Sequence, residues 1–221
     1  MINPIIKENI KGEIISILYI IIVFILSVPL YKINPEFSRK EIHIMLGNFY
    51  FIALLYFTNW YFASFFPFLS IFLNYLIIKY KAIKYMIRVK KKDRNFGTVY
   101  YSISLTILTL YSWKIGKPEI GICPFLCMAY GDGLACVFGV TIKSPYKIIM
   151  GSKKSLVGCL TMFIICFFVH LIYFLYYEIS LGLIKSIFMG LICMILEGIT
   201  PFGLDNITVP LANLILINLL V

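Results

Sequence analysis

The sequence predicts an all-α protein, a polytopic transmembrane helix bundle of about eight spans (seven to nine) with its N-terminus outside. Three observations carry this. Of 221 residues, 61% are hydrophobic and only 14% charged, and the mean hydropathy of +0.94 lies beyond the range of soluble globular domains. The apolar residues fall into runs long enough to cross a bilayer. The twenty Lys and Arg concentrate in the short connections between those runs.

Taken in order, the spans are expected at about 14–31, 41–58, 60–78, 98–113, 119–140, 155–177, 182–200 and 206–221, of which the fourth and eighth are short. The first has no small-residue cleavage site after its apolar stretch and runs on into Pro29 and Tyr31, so it reads as an anchor helix and not a removable signal. No segment reads as a strand, no soluble domain interrupts the spans and no internal repeat is present. An N-terminus outside puts 15 Lys and Arg on the cytoplasmic side against 5 outside. The formal net charge of +10 is therefore topological and does not imply a nucleic-acid partner. Six cysteines (Cys123, Cys127, Cys136, Cys159, Cys166, Cys193) sit in or beside apolar runs without zinc-type or redox CxxC spacing, and read as small core residues; no Cys and His set makes a zinc site. His170, toward the outer end of the sixth span, reads as an interfacial or packing histidine.

The chemistry is expected where acids interrupt this apolar background. A carboxylate at the centre of a membrane helix costs roughly 2.5 to 3.5 kcal/mol, so Asp132, about eight residues before the end of its span, calls for a function. Gly131 and Gly133 flank it and let the helix loosen toward a polar cavity; a small-residue packing face at Gly131, Ala135 and Gly139 is the alternative. The loop that follows carries Lys143, Lys147, Lys153 and Lys154 and ends at Ser152 or Ser155, either of which can cap the next helix. Lysines beside a helix N-terminus favour phosphate, although a headgroup-facing loop has the same composition. Glu197 is a second acid inside an apolar run; Asp205 and Asn206 follow Pro201 and Gly203 and open the last span, where Asp205 also suits an N-cap. In the RKEIH stretch, Arg39 and His43 lie four apart on one helix face; Arg39 and Lys40 also suit flanking anchors. Acids, lysines and a helix N-terminus at one membrane face are what phosphoryl or nucleotidyl transfer requires, with carboxylates holding Mg²⁺. Walker-type and protein-kinase motifs are absent from the sequence.

Five stretches, RKEIH at 39–43, the Gly97, Thr98 and Tyr100 positions, GDGLACVFG at 131–139, KKSLVG at 153–158 and EGITPFGLDNITVPL at 197–211, resemble in this order the CTP-dependent lipid kinases. That group comprises dolichol kinase, phytol or farnesol kinase and CTP-dependent diacylglycerol kinase, and is related to phosphatidate cytidylyltransferases. The resemblance implies a multi-pass enzyme that uses CTP and Mg²⁺ to phosphorylate the hydroxyl of a membrane lipid alcohol. Carried over, Asp132 and Asp205 bind metal or nucleotide phosphates, Lys153 and Lys154 clamp phosphate, and Glu197 and Asn206 complete the pocket. Lys147, Ser155, Arg39 and His43 join the nucleotide- and phosphate-binding set, and the catalytic acids are Asp132, Asp205 and Glu197.

The expected organisation is an N-terminal helix over 1–38, outside the resemblance, and a catalytic domain over 39–221. The expected partners are a lipid substrate and a nucleotide, with a homo-oligomer compatible with the sequence. The expected setting is a cell membrane, or an organelle membrane in a eukaryote, with the site facing the cytoplasm. Cytidylyltransferases carry a longer acid-rich signature where this chain reads PFGLDN, which favours the kinase. A proton-coupled secondary transporter also uses intramembrane acids, but its inverted repeat is missing here.

Overall fold

The structure, a computed structural model, describes residues 4–80, 96–149 and 152–221, without the side chains of Ile149, Ser152 and Lys153. Most of the basic connection between the third and fourth expected spans, and Gly151, lie outside the described residues. The chain forms α1 (Pro4–Ile33), α2 (Pro35–Met45), α3 (Phe49–Tyr56), α4 (Trp60–Tyr80), α5 (Gly97–Lys114), α6 (Ile122–Leu126), α7 (Gly133–Thr141), strands β1 (Tyr146–Ile149) and β2 (Ser152–Ser155), then α8 (Leu156–Tyr176), α9 (Gly182–Ile199) and α10 (Asp205–Leu220). Among the described residues, five helical stretches are long and apolar enough to cross a membrane: α1, α4, the run Pro118–Thr141, α8 and α9; α10 is a shorter apolar helix.

The first helix begins ten residues before the expected 14. Lys11 and Glu8 stay on its exposed side 4.0 Å apart, while Asn9 is buried and bonds Thr58 in both directions at 2.9 and 3.0 Å. A polar entry to an apolar helix is thus tied to the start of α4. The second expected span is instead a broken helix. Asn34 caps α2 through the Glu36 amide at 2.9 Å, and a 3₁₀ turn, Leu46–Asn48, separates α2 from α3. The polar groups exposed by the break are satisfied locally: Tyr19 donates to the Met45 carbonyl, Asn48 donates to Tyr19 at 3.0 Å, and Tyr130 donates to Asn48 at 2.6 Å. Gly47 lies where a Cβ would come within 2.7 Å of the Ala129 Cβ.

α5 lacks the apolarity of a free-standing span because it is lined with hydroxyls, and it buries them: Ser102, Ser104, Thr106, Thr109 and Ser112 all face inward. Thr106 and Thr109 return their hydroxyls to carbonyls one turn back at 2.7 and 2.9 Å, which removes the cost of placing them inside. The core centres on Tyr50, Leu108, Phe125, Met128, Phe174 and Met189, with α8 against α9 and α5 against α10 enclosing it.

Two local departures from regular helix shape the rest. Within Pro118–Thr141, residues Cys127–Asp132 form a π-helical turn between α6 and α7, so the loosening expected around Gly131 takes the form of one widened turn. The lysine loop, expected to contain no strand, closes as an antiparallel hairpin that pairs Tyr146 with Ser155 and Lys147 with Lys154. Four-residue strands this short leave too little alternation to register in the sequence.

Gly47→Ala is expected to lower stability by about 1 to 3 kcal/mol through overpacking against Ala129. Ala129→Gly, which alone costs about 1 kcal/mol, should return part of that loss when combined with it. Thermal unfolding of the four proteins in detergent measures the coupling; strictly additive losses would remove the contact from the account.

Candidate active site

Three acids from separate stretches of sequence meet beside the hairpin. One carboxylate oxygen from each of Asp132, Glu197 and Asp205 lies within 4.8 Å of the others, and the three residues are only 7 or 8% exposed. Asp132 closes the π turn, Glu197 sits near the end of α9, and Asp205 is the first residue of α10. The bend from Pro201 to Gly203 makes the last two adjacent. Gly203 has φ of +81°, and a Cβ there would come within 3.1 Å of the Gly97 Cα, so the loop lies directly on the start of α5. Asp205 Oδ1 accepts from the Asn206 amide at 3.1 Å.

Three carboxylates this close require cations. Lys154 Nζ reaches Glu197 Oε1 at 2.7 Å and Asp205 Oδ2 at 3.0 Å. Burial opposes the charged form of Lys154, but Asp205 and Glu197 outweigh it, so its ammonium group titrates well above the ordinary lysine range. Lys40 Nζ meets Asp132 Oδ2 at 2.6 Å, and His43 Nε2 lies 3.1 Å from the same oxygen and 3.1 Å from the Met128 carbonyl. Facing two acceptors, Nε2 is assigned the proton. Tyr101 fixes the histidine, donating to its carbonyl at 3.1 Å with the rings 4.6 Å apart. Two ammonium groups against three carboxylates leave a formal charge of −1, which suits one further cation.

Of the other residues singled out in sequence, Ser155 caps α8 through the Gly158 amide at 3.1 Å. Lys147 is exposed and stands opposite Lys154 in the hairpin, hence on the same face. The Lys153 side chain lies outside the described residues. Arg39 is held by Glu36 at 2.5 Å and faces a cavity together with His43 and Asn206. Asn206 Nδ2 donates to the Gly203 carbonyl at 3.1 Å, and its buried Oδ1 has no partner among the described residues. The cavity, of about 370 Å³, continues between α1, α4 and α5 along apolar side chains.

Lys40 is the residue that sequence reading missed. Next to Arg39 at the start of an apolar run it resembles a headgroup anchor, yet its side chain is 4% exposed and neutralises Asp132. The available signal was its position three residues before His43, on the same helix face. The fold also gathers what spacing did not: the thiols of Cys127, Cys166 and Cys193 lie within 4.8 Å of one another, in an apolar cluster with Met162. His170 is buried against them, Nδ1 on the Cys166 carbonyl at 2.6 Å, so it is a packing residue and not an interfacial one.

Comparison with known proteins identifies relatives of one kind. The chain is 32% identical over 122 residues to a phytol kinase of Synechocystis, covering 54% of this chain and 52% of that protein. It is 30% identical over 204 residues to phytol kinase 1, chloroplastic, of Arabidopsis thaliana, covering 83% and 66%. It is 31% identical over 209 residues to a probable phytol kinase, chloroplastic, of Triticum aestivum, covering 85% and 68%. The chain thus spans between about half and two thirds of the length of these curated relatives. No family model matches it, and no solved structure does.

Lys40→Met strands the Asp132 charge and is expected to cost about 3 to 5 kcal/mol, because the carboxylate stays buried without its partner. Adding Asp132→Asn to Lys40→Met should recover at least half of the loss in detergent unfolding experiments. A double variant as unstable as the sum of the singles would rule out the pairing.

Proposed function

Because this chain belongs to the phytol kinase family, we propose that it is a membrane-embedded lipid kinase that moves a phosphoryl group from CTP to the hydroxyl of an isoprenoid alcohol, with Mg²⁺. The observation that carries the reading is the meeting of Asp132, Glu197 and Asp205 around cationic side chains. The names of the relatives supply the reaction class. CTP as donor rests on the resemblance of the motifs.

The acid cluster fits a hard divalent cation: its donors are all carboxylate oxygens, close enough to share one ion, and the local charge is short by one positive unit. Mg²⁺ bound there supplies charge neutralisation to the phosphate oxygens. The remaining work falls to the chain. Lys154, paired with Glu197 and Asp205, would hold phosphate beside them, and the Ser155-capped start of α8 adds amides and a positive dipole end next to it. Asp132 stays fixed by Lys40 and His43. As the alcohol oxygen bonds to the γ-phosphorus and the bond to the bridging oxygen of CDP breaks, the hydroxyl proton passes to one of the three carboxylates. The site opens to the cytoplasmic side in this reading, where the lysine-rich connections lie under the positive-inside rule.

Protein purified in detergent, given labelled CTP, Mg²⁺ and phytol, is expected to yield the alkyl phosphate and CDP. Asp132→Asn and Asp205→Asn should each lower kcat by about three orders of magnitude, the scale of lost charge stabilisation in a transition state. Lys154→Ala should raise KM for CTP. A CDP-lipid with pyrophosphate would convert the reading to a cytidylyltransferase, and no nucleotide turnover with any lipid would end it.

A further inference from the structure

Resting on the kinase reading, the geometry points to the cavity between α1, α4 and α5 as the acceptor site, taking one single-chain isoprenoid alcohol hydroxyl-first, with Phe66 and Phe49 at its blind end setting the usable chain length.

The direction of the cavity follows from its walls. At one end stand Arg39, His43, Thr98 and Asn206, and this end adjoins the acids, since His43 is 3.1 Å from Asp132 and Asn206 follows Asp205. Asn206, 6% exposed, lines this end of the cavity, and its buried Oδ1 has no partner among the described residues, so the polar end of the cavity carries an unmet acceptor next to the acids. From there α4 and α5 run side by side, Asn74 bonding the Thr98 carbonyl at 3.3 Å, and the lining turns apolar. Along α4 the lining runs from Ile77 to Phe66, about 16 Å at the helical rise per residue. It ends against Phe49, 3% exposed within the main core, and Phe66 packed on that core.

Access is sideways. α1 packs on α2 and α3, and α4 packs on α5, leaving a gap between the two pairs. The lining side chains that border it, Ile17, Ile21, Leu69 and Leu73, are 44, 47, 38 and 49% exposed on helices long enough to span a bilayer. A lipid therefore enters without passing through water. A volume of about 370 Å³ lies at the small end of ligand pockets and suits one chain, not the two of a diacylglycerol. It also gives the N-terminal helix a purpose, as one wall of the acceptor site.

The test compares wild type, Leu69→Trp and Phe66→Ala on ten-carbon geraniol, twenty-carbon phytol, a longer polyprenol and a dioleoyl diacylglycerol. Leu69→Trp fills the middle of the cavity and should lower the ratio of kcat/KM for phytol over geraniol at least tenfold, whereas Phe66→Ala should raise the relative rate on longer polyprenols. An unchanged ratio in Leu69→Trp, or diacylglycerol used as well as phytol, overturns the assignment. A diazirine-bearing geranylgeraniol provides a readout that needs no turnover. Photolabelling of α1 or α4 peptides, competed by phytol and lost in Leu69→Trp, supports the site even if no alcohol is phosphorylated, in which case only the kinase reading falls. Labelling elsewhere overturns it.

Discussion

Everything in this fold is arranged around the neutralisation of three buried carboxylates. Lys40 reaches Asp132 from α2, and Lys154 reaches Glu197 and Asp205 from the hairpin, so five otherwise separate elements of the chain are drawn to one point. Unpaired, each acid would be costly inside a membrane bundle; paired, they form ties that apolar packing alone does not specify. The hydroxyl-lined α5 and the broken α2–α3 helix belong to the same economy, since Thr106, Thr109, Asn48 and Tyr19 keep their polar groups inside by bonding carbonyls or one another.

The sequence announced part of this. Asp132, Glu197 and Asp205 stand out because an acid in an apolar run has no cheap explanation, and Lys154 because it follows Asp132 in a short basic loop. Lys40 did not stand out: a lysine at the edge of an apolar run is what every membrane helix offers, and only tertiary contact separates an anchor from a buried counter-charge. The hairpin was invisible for a different reason, since its strands are four residues each and its pairing is set by the loop and not by an alternating pattern. The number and order of helical stretches followed the hydropathy roughly, with five of the eight expected spans long and apolar enough to cross a membrane among the described residues, while boundaries moved where polar residues such as Asn9 are satisfied by distant partners.

The second expected span shows where hydropathy misleads. Residues 41–58 are apolar enough to suggest one continuous helix, but Gly47 brings the chain against Ala129, and Asn48 links Tyr19 to Tyr130 across the break. Two glycine contacts, Gly47 on Ala129 and Gly203 on Gly97, therefore draw backbone segments together on either side of the acids. Of the two, Gly203 and Gly97 both belong to the stretches that carry the resemblance, and there backbone meets backbone.

The π turn at Cys127–Asp132 carries one residue more than an α-helical turn would. An α-helix advances about 100° per residue, so the halves of this span on either side of the turn are out of phase by about that angle. Phe125 can then pack inward among the core aromatics while Asp132 looks toward α2, two directions that an unbroken helix would not reconcile at this spacing. The spare residue works as a gear tooth: removing it anywhere in the turn would leave length and composition almost untouched yet swing the carboxylate away from its lysine.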